Sequence, residues 1–328
     1  MLFNNIVHDL TKIVNKIKRL SLLAKALLVL SLILIILLAK NHILSSREGY
    51  EEKSEYILKE GPEIYDGFYA NIYDDLVYNK LKNEYEIGSI INSTKPTSHS
   101  ILLDIGSGTG HHLNLFKDSF SEMVGLDISP DMVKLAQQNY PSLNYQVGNA
   151  LDNMMYESNS FTHVTCLYFT IYYIKDKKQF FENVYNWLMP GGYLSLHLVD
   201  RDKFDPIVPA GDPTLFISPQ KYAKERITQS VVKFDNYEYK ANFDILSDNI
   251  NNNQENKNED NSPSAILKEV IRNLKNGSVR QNNHNMYMST QKHILSQARS
   301  VGFIMLNQLD MKDCKYDSQY LYILQKPN

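Results

Sequence analysis

The stretch Ile101-Leu102-Leu103-Asp104-Ile105-Gly106-Ser107-Gly108-Thr109-Gly110 determines how this 328-residue chain folds. Its first half is apolar without alternation, which predicts a strand buried on both faces of a parallel sheet. Its glycines allow a sharp turn and a close approach of the backbone to a ligand. Residues 111–120 can then form a helix with an apolar face. A strand, a glycine-rich turn and a helix N-terminus together predict a nucleotide-binding corner of an α/β fold.

The composition is that of a globular protein and narrows the possible functions. Hydrophobic residues make up 43% and charged residues 22% of the chain. The net charge of −3 argues against a broad nucleic-acid-binding surface, so no nucleic-acid partner is expected. Cys166 and Cys314 are the only cysteines, too few for a disulfide framework, and no Cys/His cluster indicates zinc. No metal site is predicted.

The N-terminal part of the sequence predicts a membrane anchor. Residues 1–19 form a polar, basic tail, and residues 20–39 are apolar apart from Lys25 and two serines. A helix of this length spans a bilayer core of about 30 Å. A cleaved signal peptide is the alternative, but its apolar core is usually shorter, and no small-residue cleavage site follows. The prediction is a single-pass membrane protein whose topology stays open, because basic residues flank the span on both sides.

Residues 40–60 are charged and polar and predict a linker, so that one domain occupies residues 61–328. The aromatic and apolar side chains of residues 61–91 recur at helical spacing and share one face. This face either packs on the domain or helps to close a pocket through Tyr69 and Tyr73.

Strand and helix patterns alternate after the glycine turn. The second predicted strand ends in Asp127, near the distance at which nucleotide-binding folds place a carboxylate for the ribose. Ser129-Pro130 then begins a helix. Further strands are predicted over 143–147, 161–169, 193–199, 303–309 and 319–325, and helices over 176–188 and 289–301. Pro190-Gly191-Gly192 stops the helix before the fifth strand.

Residues 201–286 interrupt this alternation as an insert. Residues 227–245 predict a hairpin, and residues 265–274 a short helix. The Asn-rich residues 249–262 are too polar to fold and predict a disordered loop.

The glycine spacing distinguishes two families. A dinucleotide fingerprint would have its third glycine at position 111, but His111 stands there and Gly110 comes one residue early. The pattern around Asp104, with Gly106, Gly108 and Gly110, resembles motif I of the class I S-adenosylmethionine-dependent methyltransferases (methyltransferase type 11/25-like domain). The resemblance covers residues 65–118, 119–199 and 287–328. It implies an α/β, Rossmann-like, seven-stranded, mostly parallel sheet with an antiparallel closing hairpin, here preceded by one transmembrane helix.

The resemblance implies S-adenosyl-L-methionine as the cofactor. Asp104 would neutralise its amino group, directly or through water, and Asp127 would hold its ribose. Ile128 would pack on the adenine and Asn149 would meet its edge. Asn149 stands where the family usually has an acid, and Thr162 stands where it often has Asp. The predicted cofactor-binding residues are Asp104, Gly106, Ser107, Gly108, Gly110, Asp127, Ile128, Asn149 and Ala150.

The resemblance also implies in-line methyl transfer, in which the protein mainly aligns two reactants. The predicted acceptor pocket consists of Tyr69, Tyr73, Tyr168 and Tyr172. His197 and His111 are candidate bases, whereas His163 is expected to be structural. The acceptor, a small molecule, lipid or protein, is not readable from the sequence.

Two other functions stay open at this stage. The departures at Asn149 and Thr162 favour an inactive binding module with this fold, whereas the intact Asp104, glycines and Asp127 argue against it. A nicotinamide-dependent oxidoreductase is disfavoured by the glycine spacing and by the Pro-Gly-Gly turn. The leading prediction is a methyltransferase held to a membrane by its N-terminal helix.

Overall fold

Two β-sheets organise the computed structural model, which describes residues 55–206, 223–246 and 264–328 and the single positions 21, 24, 25 and 31. Its strands are β1 (Tyr56–Glu60), β2 (Ile101–Ile105), β3 (Glu122–Asp127), β4 (Asn144–Val147), β5 (Phe161–Cys166), β6 (Leu188–Val199), β7 (Gln229–Lys233), β8 (Tyr237–Ile245), β9 (Ala265–Asn273), β10 (Val279–Met286), β11 (Ile304–Asp310) and β12 (Gln319–Gln325). Its α-helices are α1 (Gly67–Val77), α2 (Lys80–Thr94), α3 (His111–Phe116), α4 (Pro130–Asn139), α5 (Thr170–Tyr173), α6 (Lys177–Trp187) and α7 (Gln291–Val301).

The larger sheet confirms the predicted fold. Its seven strands lie in the order β11-β12-β6-β5-β2-β3-β4. The neighbours from β6 to β4 pair in parallel, whereas β12 is antiparallel to both β6 and β11. The late antiparallel hairpin therefore closes the sheet, as the resemblance implied.

Strand β2 is buried on both faces, which explains its unbroken apolar sequence. Leu102 packs in one core cluster, together with residues of α2 and α3. The next residue, Leu103, packs in another cluster with residues of α6 and α7. Successive side chains of a strand point to opposite faces, so helices cover both sides of the sheet.

The Pro-Gly-Gly turn lies inside strand β6 rather than before it. The pairing of β6 with β5 shifts register between Phe161–Leu188 and His163–Tyr193. Gly191 has φ +77, a conformation that favours glycine, and lies within this irregular stretch. The predicted strand over 193–199 is thus the regular part of a longer strand.

The second sheet, called the accessory sheet below, corrects two predictions. It has five strands in the order β1-β10-β9-β8-β7. Residues 56–60, predicted as linker, form β1 and pair in parallel with β10. Residues 265–273, predicted as a helix, form β9 and pair with β8 and β10 on either side. The helix-forming residues of this segment are overridden by two flanking strands. The predicted hairpin over 227–245 is confirmed as β7 and β8.

A buried arginine fastens helix α1 to the accessory sheet. Nη1 of Arg280 lies 2.8 Å from each carboxylate oxygen of Asp66, and Nη2 donates to the Ile64 carbonyl at 2.7 Å. Asp66 also caps α1, because its Oδ1 accepts from the Tyr69 amide at 3.2 Å. These contacts fix the tyrosine-bearing face of α1 against strand β10.

The predicted N-terminal anchor and the Asn-rich loop lie outside the described residues, apart from four isolated positions. Within the described part of the chain, no helix has the length and apolar character needed to cross a membrane. The anchor over 20–39 therefore stays a prediction, as do the basic tail over 1–19 and the linker over 40–54.

Candidate active site

A cavity of about 530 Å³ opens beside the glycine turn, within the size range of small-molecule sites. One part of its wall comes from the glycine turn, the ends of β3 and β4, and α2. The other part comes from α1, the segment after β5, and strands β8, β9 and β10 of the accessory sheet. We call these the glycine half and the tyrosine half.

The glycine turn needs its glycines for different reasons. Gly106, Ser107 and Gly108 all line the cavity. A Cβ on Gly106, which has φ +72, would overlap the side chain of Thr170. A Cβ on Gly108, which has φ +54, would meet only Tyr73, at 3.9 Å. The backbone therefore faces open space at Gly108.

Gly110 does not line the cavity, which corrects its predicted role in cofactor binding. It precedes helix α3 with φ +88, and an added Cβ there would collide with the Tyr145 hydroxyl. Gly110 therefore allows the turn to pack against β4.

Asp127 lies at the end of β3 with its carboxylate directed back to the glycine turn. Its Oδ2 accepts from the Gly108 amide and its Oδ1 from the Ser129 amide, both at 2.9 Å. Burial raises the pKa of Asp127, although these amides act in the opposite direction. Each oxygen retains a lone pair. The geometry therefore fits a carboxylate that accepts from a diol, as predicted for the ribose.

The predicted adenine side also lies on the cavity wall. Ile128, which is 46% exposed, lines the cavity, as do Asn149 and Ala150. Oδ1 of Asn149 accepts from the Leu151 amide at 3.0 Å, so part of its acceptor capacity is used within its own loop. These residues present an apolar surface beside an amide, which suits a purine face and edge.

Asp104 is buried behind the lining rather than on it, so of the two predicted modes, direct contact and contact through water, the geometry favours the second. Its Oδ1 accepts from the Thr165 hydroxyl at 2.7 Å, whereas its Oδ2 has no partner. Burial raises the pKa of this carboxyl to about 6, against the lowering effects of His112 and Thr165. The nearby Ser107 hydroxyl, on the lining, also lacks a partner. The Ser107 hydroxyl can therefore bond the ammonium of an amino-acid ligand directly, and the Asp104 carboxyl stands behind it as the predicted partner through water.

A buried lysine adds positive charge to the glycine half. Lys82 is 2% exposed, and its ammonium bonds Oε2 of Glu86 at 2.7 Å and lies 4.7 Å from the Tyr168 ring centroid. His112 lies 3.1 Å from the same carboxylate oxygen. Lys82 and His112 both line the cavity. Neither residue was predicted as part of the site, and a lysine on a helix is normally solvent-exposed.

His197 is not a candidate base, which corrects the prediction. It is fully buried and absent from the cavity wall. Its Nδ1 lies 3.4 Å from Oε1 of Glu86, and burial lowers its pKa to about 4. Because Glu86 belongs to α2, this contact shows that the His197 side chain faces the layer covered by that helix. His163 is also buried, and it bonds the Thr162 hydroxyl at 2.8 Å, as expected of a structural residue.

His111 does line the cavity, but both of its nitrogens are occupied. Its Nδ1 lies 2.6 Å from the Tyr140 hydroxyl, and its Nε2 lies 2.8 Å from Oδ2 of Asp74. Oδ1 of Asp74 accepts from the Thr109 hydroxyl at 2.7 Å. His111 therefore links α1 to the glycine turn. Neither of its ring nitrogens is left to take a proton from a methyl acceptor.

Three of the four predicted tyrosines line the cavity: Tyr69, Tyr73 and Tyr168. Tyr172 does not, and this prediction was wrong. It is fully buried, and its hydroxyl accepts from the Val199 amide at 2.7 Å. The neighbouring Tyr173 lines the cavity instead, because adjacent residues of helix α5 point in different directions.

The tyrosine half also contains a buried polar cluster that the sequence analysis missed. Its members on the accessory sheet are Tyr239, Glu269 and His284. In β10 every second residue is buried, including Arg280, Asn282 and His284. No pattern in the sequence reveals this burial, because residues 280–285 are polar at every position and show no alternation. No group that could hold a metal ion occurs among the described residues.

Comparison with known proteins agrees with this geometry. Residues 103–196 match the family described as "Methyltransferase domain". Over these residues the chain is similar to the S-adenosylmethionine-dependent methyltransferases. The methyl donor of this family is S-adenosylmethionine, which the unpaired groups beside the glycine turn fit.

Two curated relatives are named as N,N-dimethyltransferases. The chain is 28% identical over 141 residues to the dTDP-4-amino-2,3,4,6-tetradeoxy-D-glucose enzyme of Saccharopolyspora spinosa, covering 40% of this chain and 55% of the relative. It is 31% identical over 116 residues to the dTDP-3-amino-3,6-dideoxy-alpha-D-glucopyranose enzyme of Streptomyces fradiae, covering 34% of this chain and 44% of the relative. The chain thus spans about half the length of the curated relatives it matches.

A solved methyltransferase shares the fold across most of the chain. An S-adenosylmethionine-dependent methyltransferase from Clostridium acetobutylicum superposes with a TM-score of 0.57 at 15% identity. The match covers 80% of this chain and 98% of that protein. At this identity the similarity shows the fold alone.

The Asp104 carboxyl predicts a pH-dependent cost to stability. Because its pKa is raised in the folded state, the folded chain loses stability as pH rises from about 4 to about 6. Asp104→Asn lacks this titration, so between pH 4.5 and 7.5 the wild type should lose about 2 kcal/mol of unfolding free energy relative to the variant.

Urea unfolding of both ligand-free proteins at the two pH values measures this difference. Asp118→Asn, which alters an exposed carboxylate, is the matched control. Parallel pH dependence of the wild type and Asp104→Asn would show that the buried carboxyl does not carry the raised pKa.

Proposed function

We propose that this chain transfers a methyl group from S-adenosylmethionine to the nitrogen of a small, amine-bearing acceptor of the amino-sugar class. The observation that carries the proposal is the tyrosine half of the cavity, where aromatic rings surround a buried carboxylate and an imidazole next to the glycine half. The names of the two curated relatives, both sugar N,N-dimethyltransferases, support the same acceptor chemistry.

The glycine half has the groups to hold the methyl donor. Asp127 offers acceptors for a diol, Gly108 leaves room at the backbone, and Ser107 has an unpaired hydroxyl. Lys82 places an ammonium beside the turn, where it would attract a carboxylate. Bound there, the sulfonium supplies an electrophilic methyl group with a neutral thioether as its leaving group.

The tyrosine half suits a cationic or aminated ligand. The Tyr65 ring lies edge-on to those of Tyr69, Tyr73 and Tyr173, with centroids 5.6, 6.2 and 6.1 Å away. Aromatic faces attract cations, and the buried Glu269 adds a negative charge behind them. An ammonium is therefore favoured over an anionic group in the tyrosine half. An acceptor that occupies the tyrosine half lies next to a methyl donor in the glycine half.

The acceptor class is tested by incubating the full chain with S-adenosylmethionine and dTDP-3-amino-3,6-dideoxyglucose. The matched control is dTDP-6-deoxyglucose, which has a hydroxyl in place of the amine. We expect mass spectrometry to show the gain of one and then two methyl groups on the amine compound and none on the control.

Methylation of the hydroxyl compound would contradict the preference for nitrogen. Transfer to neither compound, in a chain that binds S-adenosylmethionine, would contradict this acceptor class. That result would instead support an inactive binding module with the same fold.

We propose further that residues 20–39 anchor the enzyme to a membrane. The support comes from the sequence, in which an apolar run of bilayer-spanning length is interrupted only by Ser21, Lys25 and Ser31. A lysine near the end of such a span can extend its ammonium to the interface. The anchor would bring the methyltransferase to a membrane surface while its acceptor stays a small molecule.

Alkaline carbonate extraction of membranes from cells expressing the full chain tests the anchor. The chain should stay in the membrane pellet, and a variant that begins at residue 47 should move to the supernatant. Release of the full chain by carbonate would show that residues 20–39 do not span the bilayer.

A further inference from the structure

Glu269 is buried, and its carboxylate accepts hydrogen bonds from four side chains. Its Oε1 accepts from the hydroxyls of Tyr69 at 3.0 Å and Tyr239 at 2.7 Å. Its Oε2 accepts from Nδ2 of Asn282 at 3.0 Å and from Nε2 of His284 at 2.8 Å. The carboxylate has one acceptor site for each of these donors, so it is saturated by the protein. No acceptor site is left for a ligand, so the carboxylate serves to orient the side chains that donate to it.

The charge on Glu269 fixes which nitrogen of His284 carries a proton. Burial alone would raise the pKa of Glu269, but His284 and the surrounding donors hold it below its ordinary value. An ionised carboxylate only accepts, so Nε2 of His284 is the donor in their contact. In the neutral imidazole, Nδ1 is then an acceptor with a free lone pair.

That lone pair points to a tyrosine on the cavity wall. Nδ1 of His284 lies 2.9 Å from the hydroxyl of Tyr173. The Tyr173 hydroxyl is also hydrogen-bonded to Tyr65, and burial raises the pKa of both phenols. Both tyrosines are therefore neutral and can pass a proton on, but they cannot act as phenolate bases.

The groups around His284 form part of the wall of the cavity. The groups that face it are Glu269 from β9, Tyr65 and Tyr69 from the α1 region, and Tyr173 from α5. Glu269, His284, Tyr65 and Tyr173 all line the same cavity. His284 therefore connects a saturated carboxylate to the wall of the cavity, an arrangement that packing alone does not require.

We propose that Tyr173 and His284 take the proton that an amine acceptor must lose before methyl transfer, and that Glu269 positions His284 for this step. The proposal rests on the proposed function. Tyr173 and His284 are its catalytic residues, and Glu269 is a positioning residue. Glu269 and His284 lie outside residues 103–196, the part of the chain that matches the methyltransferase family, whereas Tyr173 lies inside it.

The proton and electron changes balance without another reactant. The acceptor R–NH3+ gives a proton to the Tyr173 oxygen while the Tyr173 hydroxyl proton moves to Nδ1 of His284. This leaves R–NH2, a neutral tyrosine and an imidazolium paired with Glu269. The amine lone pair then forms the N–C bond as the C–S bond breaks with its electron pair on sulfur. The product is R–NH2–CH3+, and His284 later returns its proton to solvent.

The protonation of His284 can be tested without knowing the acceptor. The experiment is 15N-histidine NMR of the full chain with S-adenosylhomocysteine, with the His284 signals assigned by their loss in His284→Gln. We expect one protonated nitrogen, Nε2, at pH 7.5, and an Nε2 proton signal that moves upfield in Glu269→Gln. A proton on Nδ1, or an imidazolium that persists to pH 9, would overturn the proposal because no lone pair would face Tyr173.

Kinetics with dTDP-3-amino-3,6-dideoxyglucose separate a catalytic role from a structural one. In Tyr173→Phe and His284→Gln, kcat should fall by roughly 10²–10⁴-fold at pH 7, with less loss at pH 9, where more acceptor is already deprotonated. The calorimetric affinity for S-adenosylmethionine should stay within about twofold, since these residues lie in the other half of the cavity. His99→Gln, an exposed histidine, is the matched control and should behave as wild type.

Unchanged kcat in both variants, in a chain whose wild type methylates the probe, would overturn the relay and leave the proposed function standing. No methylation and no cofactor binding by the wild type would overturn the proposed function, and the NMR result would still decide how His284 is protonated.

Discussion

The four hydrogen bonds received by the buried Glu269 carboxylate hold the tyrosine half of the cavity together. Their donors come from α1, β8 and β10, three elements that are far apart in the sequence. A buried ionised carboxylate is costly unless every lone pair is used. The sequence therefore has to place Tyr69, Tyr239, Asn282 and His284 around it. Three of these side chains, Tyr69, Tyr239 and His284, form part of the cavity wall.

The glycine half depends on a different contact, in which the Asp127 carboxylate accepts a hydrogen bond from the glycine turn. Its contact with the Gly108 amide fixes the backbone conformation at the carboxyl edge of the sheet. Open α/β sheets bind ligands at this edge. The accessory sheet then covers the same edge from the other side. The glycine half and the tyrosine half thus line one cavity.

Short sequence motifs predicted the glycine half of the site, because each of its parts lies within one short stretch of the chain. The glycine turn, Asp127 and the order of strands around them follow from short motifs, and the family match over residues 103–196 agrees with them. The tyrosine half depends on pairing between distant strands. Residues 265–273 have the composition of a helix, and only the flanking β8 and β10 make them a strand. Periodicity alone cannot reveal such neighbours.

Single-residue errors had a similar cause. The sequence placed Tyr172 at the cavity, but the exact phase of the short helix α5 brings Tyr173 there instead. His197 lies near the end of a strand, where ligands bind in such sheets, yet the face it occupies is covered by α2 and Glu86. Both errors concern the direction of a side chain, which depends on packing rather than on spacing.

The central claim is that the glycine half binds S-adenosylmethionine through Asp127, and calorimetric titration of the full chain tests it most directly. We predict that S-adenosylmethionine binds and NADH does not. In Asp127→Asn the affinity should fall by about tenfold or more, which is ~1.4 kcal/mol, with the fold retained by circular dichroism. Binding of NADH, or no binding of S-adenosylmethionine by the folded wild-type chain, would contradict the account.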